Sequence, residues 1–238
     1  GIIYRNYNSK NREKELIKLA QVCKRNNLQL IISNDVKLAI KFKADGIYLP
    51  SFNNSPINNL NYKKNTLVLG SAHNQKEISE KIKQNCHAIF LSPEVFNKGE
   101  NQTHWLPLGN KGEQVDLPVW LYHKDDWAKN HAIFEGLPTG CILDHTFYRE
   151  ILGSKAFSGQ DTPSEVVAGA INTSLGYSSG VSIAVYNLGA GRFTINSLRV
   201  RPNLGNDPVA ERLLRNMLNY AAQHISQPPA TLTDDIKN

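Results

Sequence analysis

The sequence has few cysteines and no long apolar run. Its three cysteines, Cys23, Cys86 and Cys141, are widely separated and form no Cys-x-x-Cys pair. This spacing argues against a zinc site or a disulfide framework and favours free thiols, so we expect a cytoplasmic location. No apolar run has membrane-spanning length, and no basic segment leads into a signal-peptide core. We therefore expect no membrane partner.

Excess positive charge is confined to the first part of the chain. Residues 1–104 contain 16 Lys and Arg against 8 Asp and Glu, whereas residues 105–238 contain 11 against 13. Nucleic-acid binding would require basic residues gathered on one face with aromatic residues between them. The lysines instead fall mostly on the polar sides of predicted helices, which favours solvated helix surfaces. We expect no nucleic-acid partner.

Composition changes abruptly near His104–Trp105. Asn, Lys and Ile account for 40 of the first 104 residues but only 23 of the last 134, and all three tryptophans follow the break. A change of this size suggests that the two parts have different genomic origins. We divide the chain into segments 1–104 and 105–226, followed by a tail, 227–238, that we expect to be flexible.

Short apolar runs alternate with helical patterns in the first segment. Such alternation predicts βαβ units and a parallel sheet, in either a barrel or an open doubly wound arrangement. Asn74 and Glu77 predict a capped start for the third helix. The candidate strands are Gly1–Arg5, Leu28–Ser33, Gly46–Leu49, Thr66–Ser71 and His87–Ser92, and the candidate helices are Arg12–Arg25, Asp35–Lys43 and Gln75–Gln84.

Polar residues cluster at the ends of these strands. Because the carboxyl ends of parallel strands form the active-site face of α/β folds, the shared position favours a functional site. Two simpler interpretations stay open: Asn34 as the N-cap of the next helix, and His73 as a loop histidine bonded to the backbone. The strand-end residues are Arg5, Asn34, Asp35, Ser51, Ser71, His73 and Ser92.

Three runs, IIYRNYN, LIISNDVKLAIKFKADGIYLPSFN and VLGSAHNQKEI, carry a family resemblance. Residues 1–102 resemble thiamine-phosphate synthases and the related thiazole tautomerases, which have an eight-stranded βα barrel. The resemblance implies small phosphorylated substrates and transfer of a pyrimidine diphosphate onto a thiazole phosphate. It implies substrate binding by Arg5, Asn34, Ser71 and Lys98, acid/base catalysis by His73, and Mg²⁺ binding by Asp35.

Several family positions differ in this chain. Asn6 and Tyr7 replace the glutamate and lysine of the first motif, and Pro50–Asn53 lacks the second magnesium carboxylate. Barrel strands one, seven and eight have no counterpart, which predicts a partial barrel and an incomplete synthase; an active and an inactive form of it both stay open. Its open sheet edges predict self-association.

The second segment combines a predicted hairpin with a long amphipathic helix. The strands Val181–Asn187 and Arg192–Val200 flank a turn at Leu188–Gly191, and Asp207 caps a helix that runs to His224. Val119–Tyr122 and Cys141–Phe147 are further strand candidates. The apolar stripe of the helix consists of Val209, Leu213, Leu214, Met217, Leu218 and Ala221.

The runs WLYHKDDWAKNHAIFEGLP, SGQDTPSEVVAGAINTSLGYSSGVSIAVYNLGAGRF and NLGNDPVAERLLRNMLNYAA carry a second resemblance. Residues 105–225 resemble a flavodoxin-like module, related to class I glutamine amidotransferases, at the C-terminal end of bacterial family 2 glycosidases. The fold expected for the whole is therefore α/β, a partial (βα) barrel joined to a partial flavodoxin-like segment. Cys141 lacks the strand-to-helix elbow of a nucleophile. The alternatives to a synthase are a non-catalytic accessory module of a carbohydrate-active enzyme and a composite without an evolved function.

Overall fold

The structure is a computed structural model that describes residues 1–55, 66–91, 93–117, 124–173, 176–188 and 191–223. The chain divides into two compact units, Gly1–Phe96 and Asn97–Asn238. This division falls slightly before the composition break at His104–Trp105. Among the described residues, no helix combines the length and apolar character needed to cross a membrane.

The first unit is a five-stranded parallel sheet with its strands in sequence order. Each of the first, second and fourth strands is followed by a helix, which confirms the predicted βαβ pattern. The elements are β1 (Ile2–Tyr4), α1 (Arg12–Arg25), β2 (Leu30–Ser33), α2 (Val36–Lys41), β3 (Gly46–Leu49), β4 (Leu67–Ala72), α3 (Gln75–Lys83) and β5 (Ala88–Leu91). A parallel α/β sheet of this kind is consistent with a segment of a (βα) barrel.

The two faces of this sheet pack differently. Side chains alternate along each strand, so Ile32 and Ile47 point towards the helices and join a core with Leu16 and Cys23 of α1. The opposite face holds a smaller buried cluster of Ile31, Tyr48 and Leu69. α1 buries one apolar face, because Leu16 and Cys23 are buried and Leu19 and Ala20 pack beside them.

The second unit contains a six-stranded antiparallel sheet. Its path is β6-β8-β10-β9-β7, with β11 also paired to β10. The strands are β6 (Lys111–Asp116), β7 (Asp125–Ala128), β8 (Lys155–Gln160), β9 (Glu165–Asn172), β10 (Ser178–Leu188) and β11 (Gly191–Asn196). Flavodoxin-like domains have parallel sheets, whereas the described pairings here are antiparallel, so the flavodoxin-like prediction is not confirmed.

The final helix, α4 (Pro208–Gln223), packs on this unit by most of the predicted stripe, since Leu214 and Met217 also pack against the core. Val209 and Leu213 are buried as expected, but Leu218 is 41% exposed. Asn216 is buried instead, because its amide donates to the backbone oxygens of Ile133 and Glu135 at 3.1 and 2.9 Å. The buried face of α4 thus includes a polar side chain that the predicted stripe did not contain.

Several local predictions for the second segment need correction. Cys141–Phe147 is not a strand: Ile142 forms an isolated bridge with Trp127, and a turn follows in which Asp144 accepts from the backbone amide of Phe147 at 2.8 Å. The strand expected to reach Val200 ends at Asn196. The predicted strand Val119–Tyr122, the centre of the turn at Leu188–Gly191 and the tail 227–238 lie outside the described residues.

Candidate functional site

Most of the predicted site residues lie at one edge of the first sheet. The five strands are parallel, so their carboxyl ends lie along the same edge. Arg5 follows β1, Asn34 and Asp35 follow β2, Ser51 follows β3, and His73 follows β4, which contains Ser71. Ser92 lies outside the described residues. We call this edge the strand-end site.

The strand register aligns several of these residues. Tyr4 pairs with Ile32 and Ser33 pairs with Tyr48, so Arg5, one residue beyond Tyr4, is level with Ser33 and Tyr48. By alternation, Ser33 and Tyr48 point to the face opposite the helices. Ser71 of β4 points to the same face, one pleat nearer the edge, and is 8% exposed.

Arg5 is held on this face by aromatic neighbours. Its guanidinium carbon lies 5.1 Å from the ring centroid of Tyr48, within cation–π range. A hydrogen bond to Tyr7 raises the pKa of Arg5. The Tyr7 hydroxyl is in turn 2.6 Å from the Ser33 hydroxyl. Arg5 itself is exposed, so it carries a positioned positive charge that can bind an anion.

Asn34 occupies a tight turn after β2. Its φ of +55° is left-handed, a conformation that Asn tolerates better than most residues. Its backbone amide donates to the backbone oxygen of Tyr48 at 2.9 Å, and its side-chain oxygen accepts from the side-chain amide of Asn53 at 2.6 Å. Asn34 is therefore not the N-cap of α2; Asp35 has that role.

The carboxylate of Asp35 is bonded through both oxygens. Oδ1 accepts from the Leu38 amide at 2.9 Å and caps α2. Oδ2 forms an ion pair with Arg12 at 3.1 Å. The expected magnesium ligand thus already has two structural partners.

His73 lies at the start of α3 beside Glu77. Its backbone amide donates to the Glu77 carboxylate at 2.6 Å, and its Nδ1 lies 3.5 Å from the same oxygen. Asn74 caps α3 by accepting from the Glu77 amide at 2.9 Å, which confirms the predicted cap. The imidazole is 62% exposed and available for proton transfer.

Lys98 belongs to the second unit and lies outside the sheet that carries the other candidates. Its ammonium is 5.6 Å from the ring centroid of Trp105, and its backbone bridges to Asn101. Lys98 therefore belongs to a different unit from Arg5 and Ser71.

Sequence reasoning missed a buried lysine behind the site. Lys81 of α3 is fully buried, and burial lowers its pKa. Its ammonium donates to the Asn53 backbone oxygen at 2.5 Å and to Gln84 Oε1 at 3.0 Å. These bonds fix the loop after β3, which supplies the partner of Asn34. A lysine on a polar helix gives no sequence signal for such burial.

The donors at this edge do not fit a magnesium site. Mg²⁺ binds through hard oxygen ligands, commonly one or two carboxylates. Asp35 is the single carboxylate at the strand ends named above, and it is paired with Arg12. Across the described residues, no group of three or more His, Cys, Asp and Glu side chains is placed to hold a metal ion.

Comparison with known proteins identifies relatives of the first unit. The family model described as thiamine monophosphate synthase matches residues 2–104. A protein of Aquifex aeolicus (strain VF5) named "Putative thiamine-phosphate synthase 2" is 30% identical over 129 residues, which covers 50% of this chain and 67% of that protein. These findings support the first resemblance; the resemblance of residues 105–225 to a glycosidase module stays a prediction.

Proposed function

Because the chain belongs to the thiamine monophosphate synthase family, we propose that its first unit provides the substrate site of a thiamine-phosphate-synthase-like transferase. The reaction joins a pyrimidine diphosphate to a thiazole phosphate. The thiazole nitrogen attacks the pyrimidine methylene carbon, a carbon–nitrogen bond forms, and the carbon–oxygen bond to diphosphate breaks. The observation that carries this proposal is the alignment of Arg5, Ser33, Tyr48 and Ser71 on one sheet face.

Each residue has a specific role in this proposal. Arg5 binds the diphosphate and stabilises the charge that develops on it as it leaves, since a positioned cation acts most strongly in the transition state. Ser71 and Asn34 orient the substrate through hydrogen bonds. The proposal assigns proton transfer to His73, the role that the resemblance to thiazole tautomerases implies. Lys98, to which the resemblance assigns phosphate binding, belongs to the second unit, and that role stays a prediction.

Magnesium at Asp35, which the resemblance implies, stays a prediction that the observed donors do not favour. Binding there would require Arg12 to release Oδ2 of Asp35. We therefore derive no step through a metal. The side chains that act directly in this proposal are Arg5, Asn34, Ser71 and His73.

A turnover assay with both substrates tests the proposal. We expect the full chain to release pyrophosphate and form thiamine phosphate, and Arg5→Gln to lose most of this activity because the leaving group loses its cation. Arg25→Gln is the matched control, because Arg25 is exposed at the far end of α1. Equal activity in the two variants, or no turnover by folded wild type, would contradict the proposal.

An accessory binding module is the second candidate, and a groove in the second unit favours it. Trp127, Gly169, Val181 and Phe157 are paired in one row across the second sheet. A Cβ on Gly169 would lie 2.7 Å from the Trp127 ring, so the ring lies directly against this strand. The groove lined by Trp127, Phe157 and Val181 has a volume of about 350 Å³.

Titration with a panel of mono- and oligosaccharides, followed by tryptophan fluorescence, tests this second candidate. Saturable binding lost in Trp127→Ala would support an accessory module. A composite chain without an evolved function predicts no turnover and no sugar binding by folded protein. The two assays together therefore separate the three hypotheses.

A further inference from the structure

The guanidinium of Arg12 lies beside the Asp35 carboxylate and neutralises its charge. It bonds Oδ2 of Asp35 at 3.1 Å and the Ser33 backbone oxygen at 3.4 Å, and its carbon lies 5.5 Å from the Tyr4 ring centroid. The side chains of the pair are only 19% and 26% exposed. Partial burial strengthens the attraction between the two charges relative to a surface pair.

A divalent cation at Asp35 would have to displace this guanidinium. Arg12 Nε is already buried without a hydrogen-bond partner, so losing Asp35 would leave a partly buried cation without its ion-pair partner, held only by Tyr4, the Ser33 backbone oxygen and the nearby charge of Glu15. The displaced charge would also repel the incoming ion. Mg²⁺ dehydrates reluctantly, and a single shared carboxylate compensates poorly for that cost.

The second position, where the family has a carboxylate, is neutral here. The side-chain nitrogen of Asn53 donates to the Asn34 side-chain oxygen at 2.6 Å, and its side-chain oxygen accepts from the backbone amide of Ser55 at 2.9 Å. Its backbone oxygen accepts from Lys81, which brings a further cation close to the loop. Three cationic side chains, Arg5, Arg12 and Lys81, thus lie around this edge, while the other nearby carboxylates already have partners: Glu15 accepts from Tyr4 and Asn6, and Glu77 accepts from the His73 backbone amide.

We propose that the strand-end site binds a phosphate-bearing ligand directly through its side chains and recruits no divalent cation through Asp35. The proposal rests on the proposed function only in placing a diphosphate at this edge. Arg5 contacts the anion, and Arg12 is a positioning residue that neutralises Asp35. The chemical class of ligand is a diphosphate free of metal.

Two measurements on the full chain test this inference. Manganese uptake, followed by electron paramagnetic resonance of the free ion, should be absent in wild type and in Asn53→Asp. Uptake should appear in the double variant Arg12→Gln/Asn53→Asp, which frees one carboxylate and restores the other. Stoichiometric uptake by wild type that disappears in Asp35→Asn would overturn the inference. Asn preserves the cap of α2, so that variant is expected to fold.

Calorimetric titration with inorganic pyrophosphate in EDTA provides the second measurement. We expect binding without metal at low ionic strength, and a roughly tenfold loss of affinity in Arg5→Gln, because a hydrogen bond to a charged group is lost. Arg25→Gln should bind like wild type. Absence of binding in EDTA would overturn the inference. Binding in EDTA without turnover would instead sink the proposed function alone.

Discussion

Ser33 connects three elements at the strand-end site. Its hydroxyl bonds Tyr7 at 2.6 Å, its backbone oxygen accepts from Arg12 at 3.4 Å, and it pairs with Tyr48. Each partner orients a charged group: Tyr7 and Tyr48 contact Arg5, and Arg12 contacts Asp35. Ser33, which is fully buried, therefore links the residues that position the charges of Arg5 and Asp35.

Glu165 illustrates a similar network in the second unit. His131, Tyr220 and Arg192 bond its carboxylate at 2.9, 2.7 and 2.8 Å. The bond from His131 is the largest cause of a pKa below the usual 4.5. A carboxyl group whose folded pKa is lowered stabilises the fold above its unfolded pKa, and this contribution is lost as pH falls through the folded pKa.

We predict that the second unit loses stability as the pH is lowered below about 4.5, and that Glu165→Gln removes part of this dependence. Urea unfolding followed by tryptophan fluorescence measures it, since all three tryptophans lie in residues 105–127. Glu113→Gln, at an exposed position of β6, is the control and should retain the wild-type pH profile. Identical profiles for wild type and Glu165→Gln would refute the prediction.

At the scale of elements, the β3–β4 pair depends on a close backbone approach. Gly46 pairs with Leu67, and a Cβ on Gly46 would lie 2.6 Å from the Leu67 backbone oxygen. Backbone atoms in a central pair cannot move aside as a flexible side chain can. The absence of a side chain at Gly46 is therefore a packing requirement of the sheet that positions Tyr48.

Gly46→Ala should destabilise the first unit by about 1–3 kcal/mol, the usual cost of overpacking. Hydrogen exchange of the β2 and β3 amides measures this loss for the first unit separately. Gly153→Ala is the control, because its Cβ would meet the Arg199 side chain at 3.4 Å and the Ser197 backbone oxygen at 3.6 Å, which are ordinary van der Waals distances. Unchanged hydrogen-exchange protection in Gly46→Ala would contradict the prediction, because it would show that β3 and β4 accommodate the added methyl group without loss of stability.

Sequence periodicity predicted the regular elements of the first unit because each has its own signal. α1 begins and ends as expected, and the five strands lie within two residues of their predicted bounds where described. In the second unit, β6, β7, β8 and β9 were missed. β6 (KGEQVD) and β7 (DDWA) are too polar in composition to be predicted as strands. They form because they pair with β8 and β9, respectively.

At the scale of the whole molecule, the first sheet ends in β1 on one side and β5 on the other. Leu91 of β5 is 38% exposed. Unpaired strand edges with apolar side chains favour pairing with another chain, so self-association stays a prediction for this protein.

Leu91→Lys should weaken such self-association, because a charged edge residue opposes strand pairing. Sedimentation velocity over a range of concentrations measures it. Ile17→Lys is the matched control, since Ile17 is an exposed apolar residue of α1 and receives the same charge away from the edges. An equal response of both variants, or a wild type that is monomeric throughout, would contradict this prediction.

The sequence alone determined the βα order of the first unit, the family resemblance and the residues at the strand ends, because these depend on local periodicity and short motifs. Tertiary structure decided how those residues are used. Asp35 acquired Arg12 as a partner, Lys81 became buried behind Asn53, and Lys98 fell in the other unit. These outcomes depend on how residues distant in sequence are arranged in the fold, and a local sequence pattern does not predict that arrangement. The antiparallel second sheet was decided in the same way, by strand pairing rather than by propensity.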